Sequence, residues 1–240
     1  MEKNRLQLQP RLQCIASLVT KGARLADVGT DHGYLPVYLL QEGTIAHAIA
    51  SDINALPLDH ARATAAAYGM TERIDFRLCP GLAKIKPEEC DTVAIAGMGG
   101  ETILGILEAA PWTRGGAHTL ILQPQTKLDL LRRWLCANGY RFLGETLVRD
   151  KEQLYVVFRV TGGQGQEMSE ADALTGLLLG NDPLYGEFLS QYLKKLERAK
   201  NGLAASSLAD REARIAHLQG LIEEIKKRRE AWAHGNGTRN

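Results

Sequence analysis

The sequence predicts an α/β protein: a mainly parallel sheet with helices on both faces, followed by a helical appendage. Three observations predict it. Short apolar runs alternate with helical patterns up to Gly139, two longer runs then follow each other with no helix between, and beyond Asn181 and Pro183 the pattern is purely helical. Strands alternating with helices imply parallel strands joined by crossover helices.

Arg11 to Val19 reads as a short amphipathic helix, with Leu12, Ile15, Ala16 and Val19 on one side. Arg24–Val28 is a strand, Gly29–Gly33 a loop and Tyr34–Gln41 a helix. Ala46–Ser51 is the second strand, and Asn54 is placed to cap a helix running to Tyr68 and ended by Gly69. Ile74–Leu78 is the third strand. Thr92–Ala96 is the fourth, its continuous apolar character suiting burial on both faces. A helix follows Gly99 and Gly100, Thr119–Leu122 is the fifth strand, and Lys127–Ala137 is a helix ending at Asn138-Gly139. Tyr140–Val148 and Gln153–Val160, separated only by the polar RDKE, read as an antiparallel hairpin. Five such strands closed by a hairpin are the order of a class I Rossmann-like methyltransferase sheet, whereas a dehydrogenase would continue with another strand-helix unit.

Gly162-Gly163-Gln164-Gly165 reads as a flexible break, which gives two domains, 1–163 and 164–240. In the second, Ser169–Leu179 is helical. Leu189, Leu193, Leu196 and Leu203 then form one stripe, and Ile215, Leu218, Ile222, Ile225 and Trp232 another, with Arg229 at one seam position and the polar AASSLAD between. That pattern predicts two long antiparallel helices with coiled-coil-like packing, serving either as a substrate-gripping arm or as a docking or dimerising element.

With 45% hydrophobic and 24% charged residues the chain is an ordinary globular protein. No apolar run is long enough to span a bilayer, and MEKNRLQLQP has no signal-peptide core, so a cytoplasmic location is expected. Cys14, Cys79, Cys90 and Cys136 form no CxxC pair, so free thiols are expected, with neither disulfide nor metal. Net charge is +1, but residues 181–240 carry 11 Lys and Arg against 8 Asp and Glu. That excess fits a solvated helical face as well as a phosphate-binding one.

The sharpest signal is ADVGTDHGYLP, Ala26 to Pro36, at the turn leaving the first strand. Ligands of open α/β sheets lie beyond the carboxyl ends of the strands, and glycines there let backbone approach the ligand. Asp27, Gly29 and Gly33 keep a D-x-G-x-x-x-G frame, but Asp31 stands where a diphosphate-binding fingerprint has glycine. A carboxylate there repels a diphosphate and suits the α-ammonium of a methionine moiety, which favours S-adenosylmethionine over NAD. Thr30, Asp31, His32 and Tyr34 complete the loop, and Asp27 can serve the same ammonium. Asp52, 19 residues after Gly33, is placed for the ribose hydroxyls, Asn54 stands beside it, and Ile53 is placed for the adenine face. Gly81-Leu82 would let backbone approach the adenine edge. In AIAGMGGE, Ala94 to Glu101, the Ala96-Gly97-Met98-Gly99 turn is placed to hold an acceptor beside the methyl group.

Arg11-Leu12, ADVGTDHGYLP, SDIN (Ser51–Asn54), IAGMGG (Ile95–Gly100) and LQPQ (Leu122–Gln125) resemble the TrmK family, the bacterial tRNA (adenine-22-N1)-methyltransferases, over the whole chain. The resemblance implies a Rossmann-like domain binding S-adenosylmethionine, a coiled-coil domain that helps grip tRNA, and methylation of adenine N1 in the D-arm region. One departure stands out: the family's Gly-Asp-Gly-Leu after the third strand reads Cys79-Pro80-Gly81-Leu82 here. The absent Asp would receive the cofactor's adenine amino group. Affinity is then expected to rest on carbonyls near Gly81 and on Asp52.

Adenine N1 carries an in-plane lone pair, so positioning in a dry pocket can supply most of the rate. Asp31, His32 and Glu101 are candidates to steady the cationic product or take its proton. Arg11, Tyr34, Met98, Gly99, Gln123 and Pro124 are candidates to receive the base. Lys194, Lys195, Arg198, Lys226, Lys227 and Arg228 are candidates to hold RNA phosphates as a monomer or weak dimer. A methyltransferase of another RNA position or of a non-RNA substrate, a nicotinamide-dependent oxidoreductase, and a non-catalytic RNA-binding scaffold remain as alternatives.

Overall fold

The computed structural model describes residues 5–204 and 209–236, so the 205–208 portion of the polar link lies outside the described residues. By contacts the chain divides into two units: Met1–Gly144 with Val148–Gln166, and Glu145–Leu147 with Glu167–Asn240.

The first unit opens with α1 (Pro10–Ser17), in which Pro10 takes an N-terminal position where no amide hydrogen is needed. It continues through β1 (Leu25–Val28), α2 (Tyr34–Gln41), β2 (Ala48–Asp52), α3 (Ala55–Ala67), β3 (Ile74–Leu78), β4 (Thr92–Met98), α4 (Gly100–Glu108), β5 (Thr119–Pro124) and α5 (Leu128–Ala137). The strands β6 (Tyr140–Asp150) and β7 (Gln153–Gly162) complete one seven-stranded sheet of order β3-β2-β1-β4-β5-β7-β6. β1 to β5 pair in parallel, and β5 pairs antiparallel with β7. The hairpin is tighter than the sequence suggests. Arg149 and Asp150 stay in β6, and Lys151-Glu152 alone turn the chain, Lys151 at φ 54°.

Every residue of β1 and β2 is buried, as are Thr92–Ile95 of β4, so their apolar runs are satisfied on both faces. One core cluster gathers Ile15 of α1, Leu39 and Leu40 of α2, Leu25 of β1 and Ile121 of β5. Each such side chain stabilises the fold by roughly 1.5–3 kcal/mol. The strand order reverses between β1 and β4, where Val28 sits beside Ile95. At that reversal the connections leave in opposite directions, which opens a crevice at the carboxyl ends.

The glycines expected to make a flexible break are instead packed. A Cβ on Gly162 would overlap the Arg114 carbonyl, and one on Gly165 the Cys136 carbonyl. Their role is close backbone approach.

In the second unit, α6 (Glu170–Thr175) is shorter than the expected 169–179 helix. Ser169 and Asp172 cap it reciprocally at its start, and Gly176, at φ +103°, ends it. α7 (Tyr185–Ala204) and α8 (Arg211–Asn236) run antiparallel: Gly186 lies against Trp232, Ser190 bonds Arg229, and Lys200 Nζ donates to Gln219 at 2.7 Å. Leu189, Leu193, Leu196, Leu221, Ile222 and Ile225 are buried, while Leu203, Ile215 and Leu218 are half-buried. Leu221 is a seam residue that the sequence stripe omits. Among the described residues no helix is long and apolar enough to cross a membrane.

Candidate active site

The crevice between β1 and β4 holds a cavity of about 340 Å³ lined by Arg11, Leu12, Asp27, Gly29, Thr30, Asp31, His32, Tyr34, Leu35, Asp52, Ala96, Gly97, Met98 and Gln125. The strand ends and three turns build it. After β1 the amides of Gly29 and Thr30 both donate to the Ser51 carbonyl, at 2.8 and 3.0 Å, which holds the loop against the end of β2. Gly29 sits at φ +71°, and a Cβ there would overlap the Met98 side-chain methyl. Asp31 also takes a left-handed backbone, φ 52°, which Asp tolerates better than most residues.

Asp27 is 5% exposed, and the Thr30 hydroxyl donates to it at 2.6 Å. Burial pushes its carboxyl up to about 6; the Thr30 hydrogen bond opposes this and the charge of Asp52 adds to it. Asp52 is also buried, and its Oδ1 accepts the Asn54 amide at 2.9 Å, so it braces the start of α3 while lining the cavity. Asn54 occupies the cap position of α3 but makes no side-chain cap bond. Asp27, Asp31 and Asp52 thus share one small cavity.

At the β4 turn the register slips between Ala96 and Met98, leaving Gly97 as an extra residue at φ +78°. Its amide is satisfied by the Gln123 side-chain oxygen at 3.1 Å, which also accepts Arg11 Nη1 at 2.7 Å. The remaining Gln123 group donates to the Pro124 carbonyl at 3.0 Å. Gln123 is 0% exposed and Pro124 is buried, so the base-receiving role expected of this pair does not match their position. Gln125, two residues on, is the side chain that lines the cavity. Its place in LQPQ was the only signal available for it.

His32 is stacked between Tyr34, at 5.2 Å and 9°, and His60 of α3, at 4.9 Å and 5°. His60 has no motif around it and escaped sequence reasoning. Gly33 allows the contact, because a Cβ there would stand 3.0 Å from the Cβ of Ala61. Tyr34 is 40% exposed and Ile53 66% exposed. Glu101 is exposed in the first turn of α4 and does not line the cavity. Gly81 and Leu82 line an adjacent apolar cleft of about 290 Å³ with Pro80, Thr102 and Ile106. The Gly81 carbonyl faces the Ser51 hydroxyl at 3.4 Å and the Cys79 thiol at 3.7 Å. That orientation weakens the expected role of Gly81 as an acceptor for adenine. None of the four cysteines is in a disulfide, and burial pushes the Cys90 thiol up to about 11.

In the helical unit Lys194, Lys195, Arg198 and Lys227 are exposed. Lys226 is half-buried and lies 3.3 Å from Glu223. Arg228 differs from them. It bonds Asp172 at 2.6 Å and Glu224 at 2.8 Å, which holds Asp172 below the usual carboxylate range against the cost of its burial. Its guanidinium is committed to structure rather than to a phosphate.

A doubly wound sheet with an acidic, glycine-built cavity at its switch point defines a methyltransferase, and residues 8–158 match the family described as "Methyltransferase domain". The chain is 31% identical over 239 residues to the tRNA (adenine(22)-N(1))-methyltransferase of Bacillus subtilis, covering 97% of this chain and 100% of that protein. It belongs to that family of S-adenosylmethionine-dependent enzymes. The crystal structure of the B. subtilis M1A22 tRNA methyltransferase TrmK superposes with a TM-score of 0.83 at 29% identity, covering 93% of this chain and 99% of that one. M. capricolum TrmK in complex with S-adenosyl-homocysteine superposes with a TM-score of 0.77 at 27% identity, covering 93% and 98%.

Proposed function

We propose that this chain methylates N1 of adenine 22 in tRNA, with residues 1–163 holding the methyl donor and 164–240 helping to grip the RNA. The observation that carries the reading is the carboxylate set of the β1–β4 cavity. Asp27, Asp31 and Asp52 lie where an anionic diphosphate would be repelled and a cationic amino acid welcomed. The resident group fits these residues: Gly29 and Gly97 keep side-chain bulk out of the cradle, and buried Asp27 has one neutral hydroxyl and no cation as its partner among the contacts described.

S-adenosylmethionine supplies a sulfonium methyl open to in-line displacement. Asp27 and Asp31 would hold its ammonium, Asp52 the ribose hydroxyls and Ile53 the adenine face. Ala96, Gly97 and Met98 form the wall from which the acceptor approaches. Tyr34, exposed at the mouth, and Gly99 receive the target base, with Arg11 and Gln125 beside them. N1 lies on the pairing edge of adenine, so a paired base must first leave its stack. Its in-plane lone pair is nucleophilic without deprotonation, and the chain's task is alignment and water exclusion. Asp31 and His32 are the groups placed to steady the cationic product; the position of Glu101 outside the cavity makes it the weakest of the three candidates. Lys194, Lys195, Arg198 and Lys227 offer phosphate contacts. The enzyme acts in the cytoplasm as a monomer or weak dimer.

Labelled-methyl transfer onto unmodified tRNA, followed by nucleoside mapping, tests the reading. Label at N1 of adenine 22 is expected; label elsewhere moves the acceptor assignment, and none at all rejects it.

A further inference from the structure

His60 is an exposed side chain that the transfer reaction does not use, yet it stands beside two groups that it does. We propose that Asp31, His32 and His60 form a binding site for a divalent first-row transition ion at the mouth of the donor cavity, and that the ion and the methyl donor exclude each other. The second half rests on the reading that this cavity holds S-adenosylmethionine.

One carboxylate oxygen and two imidazole nitrogens lie within 4.8 Å of one another. Asp31 Oδ1 is already 3.7 Å from His32 Nε2. Bonds of about 2 Å require donor atoms roughly 3–4 Å apart, and modest rotation of these accessible side chains closes that gap. Two imidazoles and a carboxylate suit zinc and its borderline neighbours better than magnesium or calcium, which prefer all-oxygen sites. The scaffold brings the donors near one another. Gly33 lets the loop lie on Ala61 of α3, which places the ring of His32 beside that of His60. The two rings are stacked in the ion-free protein, and one must turn out of that stack for both in-plane lone pairs to meet on the ion. Open coordination positions would be filled by water.

Asp31 and His32 also line the donor cavity, whereas His60 does not. An ion on Asp31 neutralises a carboxylate that the donor's ammonium needs and adds a positive charge beside it. Coupling is reciprocal, so bound donor weakens the ion to the same degree.

Ligand-free full-length protein in chelator-treated buffer is titrated with zinc chloride by calorimetry and with cobalt chloride by visible absorption, beside His60→Ala. We expect one ion per wild-type chain and no thiolate-to-cobalt charge-transfer band. Ion binding should be weaker in the variant by at least the roughly 10- to 100-fold that loss of a ligand's supporting partner costs, because here a ligand itself is lost. With chelator present both proteins bind S-adenosylmethionine equally, and added zinc weakens that binding in wild type only. Absence of ion binding, equal affinity in the two proteins, or a thiolate band overturns the site. His60-dependent binding that leaves donor affinity unchanged overturns the exclusion. Failure of the donor to bind in chelator rejects the donor reading instead, and the metal titration is still decided on its own.

Discussion

Arg11 and Gln123, separated by 112 residues in sequence, share a 2.7 Å hydrogen bond that fastens the first helix to the end of β5. The same Gln123 oxygen satisfies the amide of Gly97, the extra residue of the β4 turn. One buried amide therefore sets both the acceptor-facing turn and the arginine at the cavity mouth. Gln123→Leu keeps the volume but leaves that amide and the guanidinium without their acceptor. Each orphaned group costs about 1–3 kcal/mol. We expect a lowered Tm and a loss in kcat/KM for tRNA that Gln123→Glu, which retains an acceptor, partly restores. Unchanged melting in Gln123→Leu would refute the hub.

Asp27 gives a pH prediction. Its folded value of about 6 lies above the ordinary 3.8, so the native state retains a proton that the unfolded chain releases between those values. The stability contribution is therefore full below about 3.8 and is lost as pH rises through about 6. It amounts to about 3 kcal/mol. Asp27→Asn should raise Tm at pH 8 more than at pH 5 in the ligand-free protein. S-adenosylmethionine affinity should climb between pH 5 and 7 in wild type as the carboxylate charges, and that climb should be absent in Asp27→Asn. A flat affinity profile in wild type removes Asp27 from the ammonium site.

Gly29→Ala meets two obstacles, the φ of +71° and the methyl of Met98. A left-handed backbone costs a non-glycine residue about 1–2 kcal/mol. Met98→Ala removes only the overlap. The double variant should thus recover part of the stability lost in Gly29→Ala, measured by urea unfolding. Full recovery would mean that backbone strain is negligible here.

Arg228 and Lys194 should separate structure from RNA contact. Arg228→Ala leaves Asp172 without its guanidinium partner and should lower Tm, with tRNA affinity little changed in the folded protein. Lys194→Glu with Lys195→Glu and Arg198→Glu should leave Tm nearly unchanged and weaken tRNA binding while sparing donor binding. The salt dependence of tRNA affinity should fall as well, because fewer counterions are released. Equal tRNA affinity in the triple variant would dismiss the gripping arm.

Pro80→Asp restores the residue that the family resemblance leads one to expect after β3. Pro80 is exposed beside Gly81, whose carbonyl already faces Ser51. We expect tighter S-adenosylmethionine binding by calorimetry; unchanged or weaker affinity would mean that the adenine edge is held elsewhere.

The sheet and the cavity frame were legible because their causes are local. Continuous apolar runs mark strands buried on both faces, and Asp27, Gly29 and Asp52 sit at fixed distances from strand ends. What could not be read depends on which elements meet in space. His60 lies on α3 with no motif, and its stack with His32 exists only because Gly33 packs on Ala61. Arg228 belongs to a basic run that reads as a phosphate contact, but Asp172 and Glu224 claim it. Gly162 and Gly165 look like a hinge by composition and are close-packing residues by contact. Gln123 and Gln125 differ by two residues along the chain, and only the fold tells the inward side chain from the one that faces the cavity.

Glu145, in the middle of β6, accepts the amides of Leu177 and Leu178 at 2.5 and 2.8 Å, and the Leu147 amide donates to Asp182 at 2.8 Å. The helical unit thus includes three residues that precede its main segment by about twenty positions. A chimera spliced once after Gly163 would inherit the helices of one relative and the anchor residues of another. Exchanging the arm between family members would require transplanting Glu145 to Leu147 along with it.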